Sequence, residues 1–282
     1  MAELGLPDHE WLGMCRRSAE GVLRLLSASA PGRGRLEETG QVGSGGDRTL
    51  VIDRDAEDVV LAELERLYDA GARFTVITEE RGIVDFGGGD LLVIVDPIDG
   101  SLNAKRGLRH HALSIAVADG PTMADVAFGY VYDAGPREEW RARRGVGAWL
   151  DDAPLRDVPP ERRRPDGRLE IVALEAARPR HLAASSAALE AHVHRVRAIG
   201  AVAIALCQVA AGRVDAMASL APCRSVDAAA AQLVVRESGG LVAFTTCDEP
   251  LGAPLADLRA LSPVVAARTA RGLADVSALP VP

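Results

Sequence analysis

Leu12, Cys15, Ala19, Val22 and Leu26 recur at steps of three and four, the spacing of one helix face, and predict a first helix. A second is expected from about residue 53 to 68, with Ala56, Val60, Leu64 and Leu67 turned inward. Between them Pro31 to Gly46, rich in glycine and polar residues, reads as a mobile loop. Short apolar runs follow at Phe74 to Ile77 and Leu91 to Val95. The second is five consecutive apolar residues ending at Asp96-Pro97, the pattern of a strand buried on both faces. Further strands are expected at Leu113 to Ala118, at Val126 to Tyr132 and around Trp140.

The Pro- and Arg-rich stretch from Pro154 to Arg168 reads as a boundary and divides the chain into units 1–153 and 154–282. Beyond it strands and helices alternate. Strands are expected at 169–174, 193–197, 214–218 and 241–244, with helices near 181–190, 201–211 and 227–238. This alternation predicts a layered α/β second half.

Composition narrows the partners. With 32 basic and 40 acidic residues the net charge is -8, which repels a polyanion and argues against nucleic acid. Cys15, Cys207, Cys223 and Cys247 form no CxxC pair, which fits a reducing cytosol rather than a disulfide scaffold. The first twenty residues carry no apolar signal core, and the most apolar stretch, Ala201 to Ala211, is too short to span a bilayer. A cytoplasmic protein with no membrane partner is the expectation.

The chemistry concentrates where elements meet. In Asp96-Pro97-Ile98-Asp99-Gly100-Ser101 two carboxylates, three residues apart, stand where a buried strand turns. Pro97 fixes one backbone angle, Gly100 permits a sharp turn, and both acids can face one pocket at the strand's carboxyl end. A helix starting at Ser101 would offer free N–H groups to an anion. Carboxylates beside an anion repel it unless divalent cations lie between, and hard oxygen donors suit Mg2+. Asp-Pro and Asp-Gly are also ordinary turn dipeptides. Thr78-Glu79-Glu80 ends another short strand, while Asp53 and Asp227 open helices, where an Asp commonly caps. Singly these are solvated or capping residues; together they form four acidic clusters at element junctions. Gly87-Gly88-Gly89-Asp90 lacks the ending of a P-loop, and His110-His111 point apart if extended.

These motifs resemble the inositol monophosphatase superfamily, the Mg2+-dependent, lithium-sensitive phosphatases. The Asp96 to Ser101 run is similar to that family's D-P-[IL]-D-G-[ST] signature, and Thr78-Glu79-Glu80 to its G-E-E element. Val226 to Ala230 and Glu237 to Gly240 resemble its W-D-x-A-A and E-A-G-G pair. Gly145 to Ala148 and Gly200 to Asp215 also match, and order and spacing agree from about residue 8 to 268. Ser101-Leu102-Asn103-Ala104 lacks the aromatic that commonly follows the Asn. It is more similar to the archaeal-type branch, whose members often hydrolyse both fructose 1,6-bisphosphate and inositol phosphates.

The resemblance implies an alternating αβαβα layered sandwich and a homodimer acting on a small phosphorylated substrate. The first unit would carry most metal ligands, and the second the last ligand and substrate contacts. Glu79, Asp96 and the Ile98 carbonyl would hold one Mg2+, and Asp96, Asp99 and Asp227 a second. Asp53, with Glu79, would bind a third or orient the attacking water. Gly100 and Ser101 would cradle the phosphate through backbone N–H groups, with the Ser101 hydroxyl positioning water. Asp99 would also face the substrate.

Departures from the family pattern bear on specificity. Val226 replaces a frequent Trp, and Leu220 stands where inositol-preferring members carry a glutamate. A leucine accepts no hydrogen bond from a polyol. Arg178 and Arg224 are candidate contacts for a second phosphate, or else surface arginines. The expected activity is therefore phosphomonoester hydrolysis of inositol 1-phosphate, fructose 1,6-bisphosphate or both. The alternatives are 3'-phosphoadenosine 5'-phosphate, histidinol phosphate, or a phosphatase-like regulatory subunit, which loss of a metal carboxylate would mark.

Overall fold

The computed structural model describes residues 4–28, 38–42 and 48–280. Helix α1 (Asp8–Ala28) buries Cys15, Ala19, Val22 and Leu26 along one face, as the spacing predicts, but begins that face with Trp11, leaving Leu12 half-buried. Strands β1 (Glu38–Val42) and β2 (Arg48–Leu50) pair antiparallel and lead into helix α2 (Val51–Asp69). The loop expected over 31–46 therefore contains a strand at 38–42; the rest of it lies outside the described residues. Backbone groups alone make such a pairing, so no apolar alternation announces it.

The first sheet is built from β3 (Phe74–Thr78), β4 (Gly82–Phe86) and β5 (Leu92–Asp99). After the short helix α3 (Ser101–Arg106) come β6 (Ala112–Ala118), β7 (Val126–Asp133), β8 (Glu138–Arg143), β9 (Gly147–Leu150) and β10 (Ala153–Pro154). Its order is β10-β9-β8-β7-β6-β5-β3-β4. Only β3 and β5 run parallel, so their carboxyl ends, at Thr78 and Asp99, open on the same side.

The second sheet starts at β11 (Leu169–Glu175). Helix α4 (Pro179–His192), β12 (Val193–Arg197), helix α5 (Val202–Ala210), β13 (Ala216–Ser219) and helix α6 (Ser225–Glu237) follow. The chain closes through β14 (Leu241–Phe244), β15 (Val264–Ala267) and helix α7 (Ala270–Ser277). The sheet order is β12-β11-β13-β15-β14. The expected alternation is present, but β15 enters antiparallel between β13 and β14, and neither it nor α7 was anticipated. Strands β4, β9 and β10 were also unanticipated.

Five layers result. One face of the first sheet packs on α1 and α2, the other on α5 and α6, which also contact the second sheet; α4 and α7 cover its far side. This is the αβαβα sandwich that the resemblance implies. Strand alternation assigns the faces: Leu113, Ile115 and Val117 of β6 pack toward α1 and α2, and Ala112 and Ala116 toward the central helices. Small residues there let the central layer approach closely. Helix α6 is buried from Ser225 to Val235, and a Cβ at Gly129 would lie 2.6 Å from the Ala230 carbonyl oxygen. No helix among the described residues is long and apolar enough to cross a membrane.

Candidate active site

Strand β5 stays buried through its carboxyl end, so Asp96 and Asp99 are only 2% and 5% exposed. Asp96 Oδ1 accepts the Ile98 N–H at 3.0 Å. Asp99 accepts the N–H groups of Val202 (3.2 Å) and Ala203 (2.8 Å), tying β5 to the first turn of α5. Gly100 then turns the chain into α3 with φ +83°; a Cβ there would stand 2.8 Å from the His110 oxygen and 3.0 Å from that of Gly200. Both the left-handed conformation and the close approach require glycine.

Glu79 follows β3, the parallel neighbour of β5, and so reaches the same edge. Asp227 lies in the first turn of α6, where Oδ2 accepts the Arg224 N–H at 2.9 Å. Because α6 begins at Ser225, Asp227 sits inside the helix, yet this bond retains its capping character. Glu79, Asp96, Asp99, Asp227 and Ser101 line one cavity of about 480 Å³ together with Ile98 and Gly100. Asp53, in the first turn of α2, lines a narrow adjoining cleft with Glu79 and Asp96, and its carboxylate is 3.4 Å from Lys105 Nζ. Arg178 is exposed at the rim of the main cavity. Arg224 lies deeper, ion-paired with Glu79 and 3.3 Å from Asp227 Oδ1.

Burial and crowding set the electrostatics. Burial pushes the Glu79 carboxyl up to about 7; Arg224 opposes this and Asp227 adds to it. Asp96 is raised by burial, then by Glu79, Asp99 and Asp227, and Asp99 by burial and Asp227. As they stand, no three His, Cys, Asp or Glu side chains among the described residues form a metal-binding group. Asp99 is turned to the α5 amides, and the Arg224 guanidinium lies between Glu79 and Asp227. The donor set nevertheless fits a hard divalent cation: every donor is an oxygen, and the carboxylates destabilise one another for want of positive charge.

Two carboxylates escaped the sequence reading. Glu57 is fully buried on α2 and accepts both the Thr78 hydroxyl (2.8 Å) and the Glu80 N–H (3.0 Å), fixing the turn that presents Glu79. Glu175 ends β11, lines the main cavity at 2% exposure, and accepts the N–H groups of Ile199 (3.3 Å) and Gly200 (2.9 Å). Its signal was an acid closing an apolar strand, the same signal that singled out Asp96. Leu220 is not on the cavity wall; it packs in the outer core with Leu174 and Val265.

An α/β sandwich with acidic strand and helix ends gathered on one cavity is the arrangement that the resemblance to phosphate monoester hydrolases implies. The sequence model of the inositol monophosphatase family matches residues 13–277, and the chain belongs to that family. The fructose-1,6-bisphosphatase/inositol-1-monophosphatase of Thermococcus kodakarensis is 34% identical over 198 residues, 70% of each chain. The Nus factor SuhB of Haemophilus influenzae is 30% identical over 244 residues, 86% of each chain. A solved inositol monophosphatase–fructose 1,6-bisphosphatase superposes with a TM-score of 0.76 at 22% identity, covering 95% of this chain and 98% of that one.

Proposed function

We propose that the protein hydrolyses a small sugar or polyol phosphate with the help of Mg2+, using the carboxylates of the main cavity. The carrying observation is that Glu79, Asp96, Asp99 and Asp227, from four places in the sequence, line one cavity beside Ser101. Glu79, Asp96 and the Ile98 carbonyl would hold one cation, and Asp96, Asp99 and Asp227 another; Asp53 would assist Glu79 at a third or in orienting water. Bound there, divalent cations supply the Lewis acidity that an in-line attack by water on a phosphate monoester needs.

The chain's own groups do the rest. The N–H groups of Gly100 and Ser101 hold the phosphate, and the Ser101 hydroxyl orients the attacking water. Asp99 faces the substrate while its bonds tie β5 to the first turn of α5. Arg178, on the rim, is placed to meet a second phosphate. Arg224 meets one only after leaving Glu79 and Asp227. Inositol 1-phosphate and fructose 1,6-bisphosphate are the leading substrates, supported by the name of the Thermococcus kodakarensis relative. We also infer a division near residue 154, a cytosolic homodimer and no nucleic-acid partner.

Phosphate release in Mg2+ tests this against inositol 1-phosphate, fructose 1,6-bisphosphate, 3'-phosphoadenosine 5'-phosphate and histidinol phosphate. Turnover of either leading substrate is expected. Mg2+ binding without turnover of any would favour the second reading, a regulatory protein on a phosphatase scaffold, which similarity to the Nus factor SuhB supports. The intact carboxylate set favours catalysis.

A further inference from the structure

Leu220, where the family pattern has a glutamate, is buried among Leu174, Ala218 and Val265 and does not line the cavity. The neighbouring strand carries a carboxylate instead. Strands β11 and β13 run parallel with Glu175 beside Ser219, and the Leu220 N–H donates to the Glu175 carbonyl at 2.9 Å. Side chains alternate along β11: Val172 and Leu174 enter the outer core and Ala173 the central one. Glu175 therefore leaves the sheet on the face of Ala173, toward the cavity it lines.

Its carboxylate is held rigidly. The N–H groups of Ile199 and Gly200 donate to its two oxygens, and that of Ala201 contributes. Asn103 Nδ2 grips the same loop by donating to the Ile199 carbonyl at 2.9 Å, and Asp99 holds the next two residues. A carboxylate offers about four acceptor sites. Three amides leave one for a donor in the cavity, and a hydroxyl fits it.

We propose that Glu175 is a specificity residue that accepts a hydrogen bond from a hydroxyl of the phosphorylated polyol. This rests on the reading of the cavity as a polyol phosphate site. The test compares kcat/KM for inositol 1-phosphate with that for p-nitrophenyl phosphate, which carries no hydroxyl on its leaving group, in saturating Mg2+. Glu175→Gln should lower the first about 10- to 100-fold, mainly through KM, the range for one hydrogen bond to a charged group. The second should change less than about 2-fold. Glu175→Asp keeps the charge, and should show a smaller loss confined to the polyol substrate; it decides the matter if the Gln variant fails to fold. Equal losses on both substrates, or none on either, overturn the proposal and make Glu175 a loop clamp alone. Wild-type turnover of p-nitrophenyl phosphate without inositol 1-phosphate overturns it while sparing the phosphatase reading. Turnover of neither overturns both.

Discussion

Glu79 and Glu175 end strands of different sheets, line the same cavity, and are both pushed up to about 7 by burial. Their surroundings differ. Glu79 shares its region with Asp96 and Asp227 and is ion-paired to Arg224, whereas backbone dipoles alone hold Glu175 in the hydrogen bonds described above. Like charge crowds the first region, which is stabilised by an added cation. The second is already satisfied by donors and has capacity for one more. Similar proton affinities thus accompany different surroundings, like charge and an arginine around Glu79 and backbone donors around Glu175.

The strongest way to break the contrast is Asp96→Asn, which removes charge from the centre of the crowded region. Phosphate release should fall by about 10³-fold or more, with the circular dichroism spectrum unchanged, as loss of a principal electrostatic group implies. Near-full activity would take Asp96 out of the site. Arg224→Ala sharpens the same side: without a guanidinium competing for Glu79 and Asp227, Mg2+ should bind about 10-fold tighter by titration calorimetry. An unchanged or weaker affinity would mean that arginine and cation use different oxygens. Ser101→Ala should lower kcat roughly 10-fold and leave Mg2+ affinity alone; a collapse of metal binding would make the hydroxyl structural.

The smallest effect tests the second region. Burial raises the Glu175 carboxyl from its ordinary 4.5 to about 7, so the folded protein holds that proton more tightly than the unfolded chain. Its contribution to stability is fully present below about pH 4.5 and is lost as pH rises through 7. Glutamine does not titrate. The melting temperature of Glu175→Gln relative to wild type should therefore climb by a few degrees between pH 5 and pH 8. A fall instead would show that the folded protein favours the ionised Glu175.

Much of this was legible because it was periodic or motif-bound. The apolar run into Asp96-Pro97, the face of α1 and the alternation after residue 169 each carry a repeating physical signal. Strand β4 does not: Gly82–Phe86 is an edge strand whose Ile83 is 62% exposed, so its burial pattern is broken. Strand β15 is four residues long, and no local feature tells that it runs antiparallel between two strands met earlier. In the site, the acids in signature motifs were readable, whereas Glu57 and Glu175 were not. Glu57 lies in an ordinary helical stretch and gains its role from Thr78, 21 residues away. Glu175 gains its role from amides 24 and 25 residues downstream. Leu220 was read, by motif alignment alone, as a position that offers a polyol no acceptor, and its packing in the outer core is what no alignment tells.

The seam between the two sheets bears on how such a catalyst diversifies. Gly100 and Gly200, both in the left-handed conformation, meet backbone to backbone, and a Cβ at Gly200 would press to 2.9 Å from Asn103 Nδ2. A library randomised at both positions should favour glycine at each, since other residues are strained in the left-handed backbone and at position 100 also meet the His110 and Gly200 oxygens. Inherited variation is thereby channelled to side chains around the seam, such as those at 175, 178 and 224. Substrate choice can drift there while the joint that assembles the chemistry stays fixed.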